Sequence, residues 1–99
     1  MVKEITEEDF SEVIKNGKVV IDCYAPWCGP CRMLSPIIDE LSKEITNYSF
    51  YKLNVDNAEE VSRQYGIMSI PTLLIIENGV LIQKLVGFKS KEELLEILK

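Results

Sequence analysis

Histidine is missing altogether from this chain of 99 residues, and cysteine occurs only three times. Without an imidazole, neither Cys–His nor Ser–His nucleophilic catalysis is available. A closed zinc site built from Cys and His ligands cannot be completed within one chain either. No apolar run approaches the roughly 18 residues of a membrane span. The segment from Met1 to Phe10 carries four acids and no apolar stretch of the kind found in secretory signals, so a cytoplasmic protein is expected. Basic residues are outnumbered 11 to 16, and the net charge of −5 argues against a nucleic-acid backbone or an anionic membrane as the main partner. Neither a glycine-rich dinucleotide fingerprint nor a P-loop is present, so no bound cofactor is expected, and no resident metal.

What is present is a chain with 46% hydrophobic residues, enough for one domain over residues 1–99 that buries its own core without disulfide staples. At this size a monomer is expected. No repeat, linker or low-complexity stretch interrupts it. Thr6 is placed to cap a helix that carries Phe10, Val13 and Ile14 on one face and ends near Asn16-Gly17. Val19 to Tyr24 is nearly continuous in apolar and β-branched residues, the pattern of a strand buried on both faces. A helix is predicted from about Cys28 to Ile45, continuing through Pro36. Phe50 to Val55 reads as a strand, and Asp56 or Asn57 as the cap of a helix running to Tyr65. Thr72 to Ile76 and Val80 to Val86 flank the hairpin signal Glu77-Asn78-Gly79. Ser90 and Glu93 have capping-box spacing at the start of a last helix bearing Leu94, Leu95 and Leu98. The predicted order is βαβαβαββα: an α/β fold with a central mixed sheet flanked by helices.

Trp27-Cys28-Gly29-Pro30-Cys31 stands where the buried strand hands over to the long helix. Thiols at i and i+3 of a helix are neighbours, close enough to close a reversible disulfide. Pro30 suits a first helical turn because its missing N–H has no partner to lose there. At a helix N-terminus, unpaired N–H groups and the macrodipole favour negative charge, so Cys28 is expected to ionise readily and act as nucleophile. Cys31, one turn deeper, is expected to be shielded and to act second. A metal site shared between two chains, and a binding module indifferent to redox state, are the competing uses of these residues. Asp22 is an ionisable group in an apolar strand, costly unless paired or protonated. Cys23 alternates to the opposite face and is expected to pack as a small core hydrophobe.

Several separated motifs together resemble the thioredoxin family across essentially the whole chain. They are Val20-Ile21-Asp22, Ala25-Pro26 leading into Trp27-Cys28-Gly29-Pro30-Cys31, Pro36, Lys52-Leu53-Asn54-Val55-Asp56, Ile70-Pro71-Thr72, Asn78-Gly79 and Val86-Gly87. The resemblance implies the thioredoxin fold and a protein-disulfide reductase and electron donor. Its partners would be disulfide-containing proteins and a thioredoxin-reductase-like flavoprotein. It further implies that Asp22 accepts the proton of Cys31, that Lys52 is the charged neighbour of Asp22, and that Pro71 follows a cis bond offering Ile70 to an extended substrate. Substrate contact would fall to Trp27, Gly29, Pro30, Ile70, Pro71, Val86 and Gly87, with Ile67, Met68 and Phe88 adding to an apolar rim. Cys23 and Tyr24 depart from the family pattern, occupying positions where many members carry Phe and Trp.

Overall fold

In the computed structural model, which describes residues 2–99, a five-stranded sheet runs in the order β1-β3-β2-β4-β5. The elements are β1 (Lys3–Ile5), α1 (Glu7–Val13), β2 (Lys18–Tyr24), α2 (Gly29–Glu44), β3 (Ser49–Asn54), a 3₁₀ turn (Val55–Asn57), α3 (Glu59–Gln64), β4 (Thr72–Glu77), β5 (Val80–Val86) and α4 (Lys91–Ile97). β1 and β2 both pair with β3 in parallel, while β4 and β5 are antiparallel additions. This is the predicted order and the predicted mixed sheet.

The continuous apolar run of β2 is explained by its place. It lies between β3 and β4, and Val19, Val20, Ile21 and Cys23 are all buried. One face of the sheet packs Ile21, Cys23, Leu53 and Leu74 against Phe10 of α1 and Val61 of α3. The other packs Val20, Phe50, Leu73 and Leu85 against Leu34, Ile38 and Leu41 of α2, Leu94 of α4 and Leu98 at its C-cap. Period-2 alternation divides each strand between these two layers. Cys23 thus falls in the α1/α3 layer and Asp22 on the α2 side.

Helix α2 is unbroken through Pro36, and its buried residues Cys31, Leu34, Ile38 and Leu41 form one stripe at helical spacing. Other boundaries differ from the sequence prediction. α1 ends at Val13, before Asn16-Gly17: Lys15 N and Asn16 N bond back only three residues, to Glu12 O and Val13 O, and the carbonyls of Ile14 and Gly17 accept from Gly79 N at 2.7 Å and Asn78 N at 2.9 Å. The β4–β5 hairpin is thereby pinned to the α1–β2 loop. Val55 leaves the strand for the 3₁₀ turn, whose cap is the Asn54 side chain, accepting from Asp56 N at 3.0 Å.

Neither Asp56 nor Asn57 caps α3, and its N-cap position is held by Ala58, which has no acceptor side chain. The missing acceptor arrives from 54 residues away: Glu7 Oε2 takes a hydrogen bond from Val61 N at 2.7 Å. A carboxylate at a helix start satisfies an orphan donor and meets the positive end of the dipole. Glu7→Ala is expected to destabilise the fold by about 1 kcal/mol, the usual worth of a helix cap. Glu7→Gln should recover part of that loss. Chemical denaturation measures the cost, and faster amide exchange at Val61 would locate it.

Candidate active site

β2 ends at Tyr24, at its carboxyl end, and Ala25, Pro26 and Trp27 carry the chain to α2. A turn closed by Cys28 N donating to Ala25 O at 3.1 Å sets Cys28 as the N-cap of α2, with Pro30 in the first turn. Arg32 Nη1 donates to Pro26 O at 2.9 Å and ties the same loop to the helix. The sulfurs of Cys28 and Cys31 are in disulfide contact, with Cα atoms 5.2 Å apart. Cys28 Sγ accepts from Cys31 N at 3.2 Å, so the first sulfur occupies the place that an N-cap oxygen normally fills. No acid lies in the first turn to compete with negative charge there.

Cys31 is shielded, as expected, but Cys28 is nearly as buried: the two residues are 3% and 5% exposed. They differ in what they face. Cys28 Sγ lies 3.8 Å from the carbonyl oxygen of Ile70, on the side where Trp27 is 68% exposed. Cys31 opens into a cavity of about 110 Å³ behind the disulfide, lined also by Asp22, Tyr24, Arg32, Ser35 and Lys52.

Asp22 is 3% exposed, and no protein group hydrogen-bonds its Oδ1. Burial pushes its carboxyl up to about 7; Lys52 pulls it back, and Glu4 and Asp39 add to the rise. Lys52 stands directly opposite Asp22 in the β2–β3 register. Its ammonium lies 5.8 Å from the centre of the Tyr24 ring. Cys23 is buried in the opposite layer, and burial, with a smaller contribution from Asp22, pushes its thiol far above the ordinary range. It is therefore a neutral packing residue at physiological pH.

Beside Cys28, the Ile70-Pro71 and Val86-Gly87 loops come together. The Ile70–Pro71 bond is cis, and Ile70 packs against the cluster of Ala25, Cys28 and Cys31. Gly87 N donates to Pro71 O at 2.8 Å, joining the Val86-Gly87 loop to the Ile70-Pro71 loop. Gly87 has φ +90°, a conformation glycine adopts without the strain a side chain would bring. Thr72 Oγ1 donates to Ser69 O at 2.7 Å and closes the same loop from inside. Met68 is 95% exposed, and Phe88 and Val86 are also exposed. Ile67 departs from the expected rim: it packs, partly buried, against the α1/α3 core layer.

Three contributors escaped the sequence reading. Asp56 Oδ2 accepts from Trp27 Nε1 at 3.0 Å and holds the exposed indole. Tyr24 donates its hydroxyl to Glu4 Oε1 at 2.6 Å. Arg32 anchors the loop as described. The first two are pairings across 29 and 20 residues, and no local spacing marks such contacts.

Comparison with known proteins agrees with this geometry. The thioredoxin family model matches residues 1–99. The chain is 41% identical to a thioredoxin of Bacillus subtilis over 98 residues, covering 98% of this chain and 94% of that protein. It is 39% identical to a thioredoxin of Chlamydia caviae over 98 residues, covering 99% and 96%. A solved structure of a mutant thioredoxin from Halobacterium salinarum NRC-1 superposes with a TM-score of 0.90 at 29% identity, covering 98% of this chain and 87% of that one. A strand-to-helix junction that holds Cys28 and Cys31 in disulfide contact, in a five-stranded mixed sheet matched over its whole length, makes this chain a member of the thioredoxin family of thiol–disulfide oxidoreductases.

Proposed function

We propose that the chain reduces protein disulfides in two steps, each assigned to one cysteine. In the first, the Cys28 thiolate attacks a substrate disulfide. A Cys28–substrate bond forms, the substrate S–S bond breaks, and the departing sulfur leaves as a thiolate that takes a proton from water. In the second, Cys31 gives its proton to Asp22 and attacks Cys28 Sγ; the intramolecular disulfide forms, the Cys28–substrate bond breaks, and the second substrate sulfur leaves as a thiolate that takes a proton from water. Two electrons have passed to the substrate, and a flavoprotein reductase of the thioredoxin-reductase type restores the dithiol. The sulfurs carry the electrons themselves.

One observation carries this assignment: Cys28 Sγ sits at the N-cap of α2 within reach of Cys31 N, whereas Cys31 shares its cavity with Asp22. Backbone dipoles stabilise a thiolate at the first position, and a buried carboxylate accepts a proton at the second. Trp27, Gly29, Pro30, Ile70, Pro71, Val86 and Gly87 would form the docking surface, with an extended substrate segment lying against the Ile70 backbone. Lys52 would moderate the charge of Asp22. Residues 1–99 would work as one thioredoxin domain and as a monomer, in the cytoplasm; among the described residues, no helix is long and apolar enough to cross a membrane.

The test is the pH dependence of alkylation of the reduced protein, with the adduct located by mass spectrometry. Cys28 should react first, with a midpoint at least about one pH unit below the 8.5 of a free cysteine. Preferential labelling of Cys31, or a midpoint at the free-cysteine value, would refute the order of attack.

A further inference from the structure

The registers of three adjacent parallel strands place Glu4, Lys52 and Asp22 in one row: Glu4 pairs with Lys52, and Lys52 with Asp22. Facing residues of neighbouring strands project to the same side of a sheet. Lys52 is therefore flanked by an acid on each side, one exposed at the edge and one buried beneath α2. Tyr24, a wall of the cavity that holds Asp22 and Cys31, joins the members of this row. Its hydroxyl grips Glu4 at 2.6 Å, and its ring lies under the Lys52 ammonium at 5.8 Å.

We propose that Glu4 is a positioning residue for the Cys31 step: held by the Tyr24 hydroxyl on the far side of Lys52, its negative charge offsets that of the Lys52 ammonium at Asp22 and leaves the buried carboxylate a stronger proton acceptor. This rests on the reading of Asp22 as the acceptor of the Cys31 proton. An isolated lysine opposite a buried aspartate would stabilise its charged form and weaken it as a base. A second carboxylate on the far side of that lysine repels the charged form of Asp22 and so cancels part of the lysine's attraction. The direction agrees with Glu4 raising the Asp22 carboxyl. Other charged or titratable groups facing Asp22 are Asp39 and Arg32 of α2, Cys31 above it and Tyr24 on its own strand, whereas β4 presents the apolar Leu73. Glu4 is solvent-exposed and lies at the sheet edge, so replacing it leaves the core intact.

The experiment follows the Asp22 carboxyl carbon by NMR titration, together with the pH profile for release of a preformed mixed disulfide between Cys28 and a small peptide thiol. Glu4→Gln should lower the Asp22 midpoint by about 0.5 pH unit in dilute buffer, the size expected of one unit charge about two strand spacings away near a surface. In 1 M salt the shift should largely vanish, because exposed charges are screened. Tyr24→Phe, which frees Glu4 to swing into solvent, should move the midpoint in the same direction. The release profile should follow both changes. An Asp22 midpoint unmoved by Glu4→Gln in dilute buffer, or a shift that persists in 1 M salt, would overturn the proposal. Asp22→Asn separates the two claims: if it leaves the release rate unchanged, the proton-acceptor reading fails, whereas slowed release beside an unmoved Glu4→Gln titration removes Glu4 alone.

Discussion

Replacing Cys31 with Ser is expected to cut multiple-turnover disulfide reduction by about 10³-fold or more, the scale of losing a nucleophile, while leaving the first attack intact. Cys28 keeps its N-cap position in this variant, since the 3.2 Å contact comes from the backbone N–H of residue 31, which serine retains. A hydroxyl at this position does not displace a thiol from a disulfide, so the mixed disulfide with substrate persists. Incubation with a disulfide-containing protein should give a covalent adduct on non-reducing gels that disappears with dithiothreitol. Cys28→Ser should give neither turnover nor adduct. An equally abundant adduct from Cys28→Ser would reverse the assigned order of the two sulfurs.

Asp22→Asn is expected to move activity and stability in opposite directions. Loss of the proton acceptor should slow release of the mixed disulfide by about 10²-fold, the lower end for general acid–base catalysis, with its formation unchanged. Stability should rise, and the sign follows from linkage. Folding raises the carboxyl to about 7, above the unfolded chain's ordinary value. Between roughly pH 4 and pH 7 the folded protein holds a proton that the unfolded chain has released, so stability falls as pH rises through that window. Above it the full penalty of a buried charge remains. Asparagine lacks that charge, so the variant should match the parent near pH 4 and exceed it at pH 8 by on the order of 3 kcal/mol. In a domain of this size that is about 10 °C or more in Tm. Thermal unfolding of both proteins across this pH range checks it; a constant difference between them would show that Asp22 does not titrate inside the fold. The stability penalty and the catalytic role share one cause, which is a carboxyl placed where water cannot solvate it.

Much of the architecture was legible because its signals are local. The unbroken apolar run from Val19 to Tyr24 marks a central strand, and β2 does lie between two neighbours. Ser90 and Glu93 cap α4 reciprocally, Glu93 N donating to Ser90 Oγ at 3.2 Å and Ser90 N to Glu93 Oε1 at 2.9 Å. The start of α3 has no local signal, because its acceptor, Glu7, belongs to another helix. β5 is apolar in sequence, yet most of it is exposed: it is the sheet's edge, and a bulge at Ile82 shifts its register against β4. Alternation alone does not distinguish an edge strand from an inner one.

The residues by themselves determined that two thiols meet one turn apart at a helix start, since a strand-to-helix junction and i,i+3 spacing are properties of a few consecutive residues. They also determined that catalysis proceeds without histidine. Only the tertiary structure decided that Asp22 and Cys31 share a cavity, that Asp56 holds Trp27, and that Glu4, Lys52 and Asp22 align. Those relations depend on strand order and register, which arise when the whole chain buries its apolar faces at once, and no short stretch of sequence contains them.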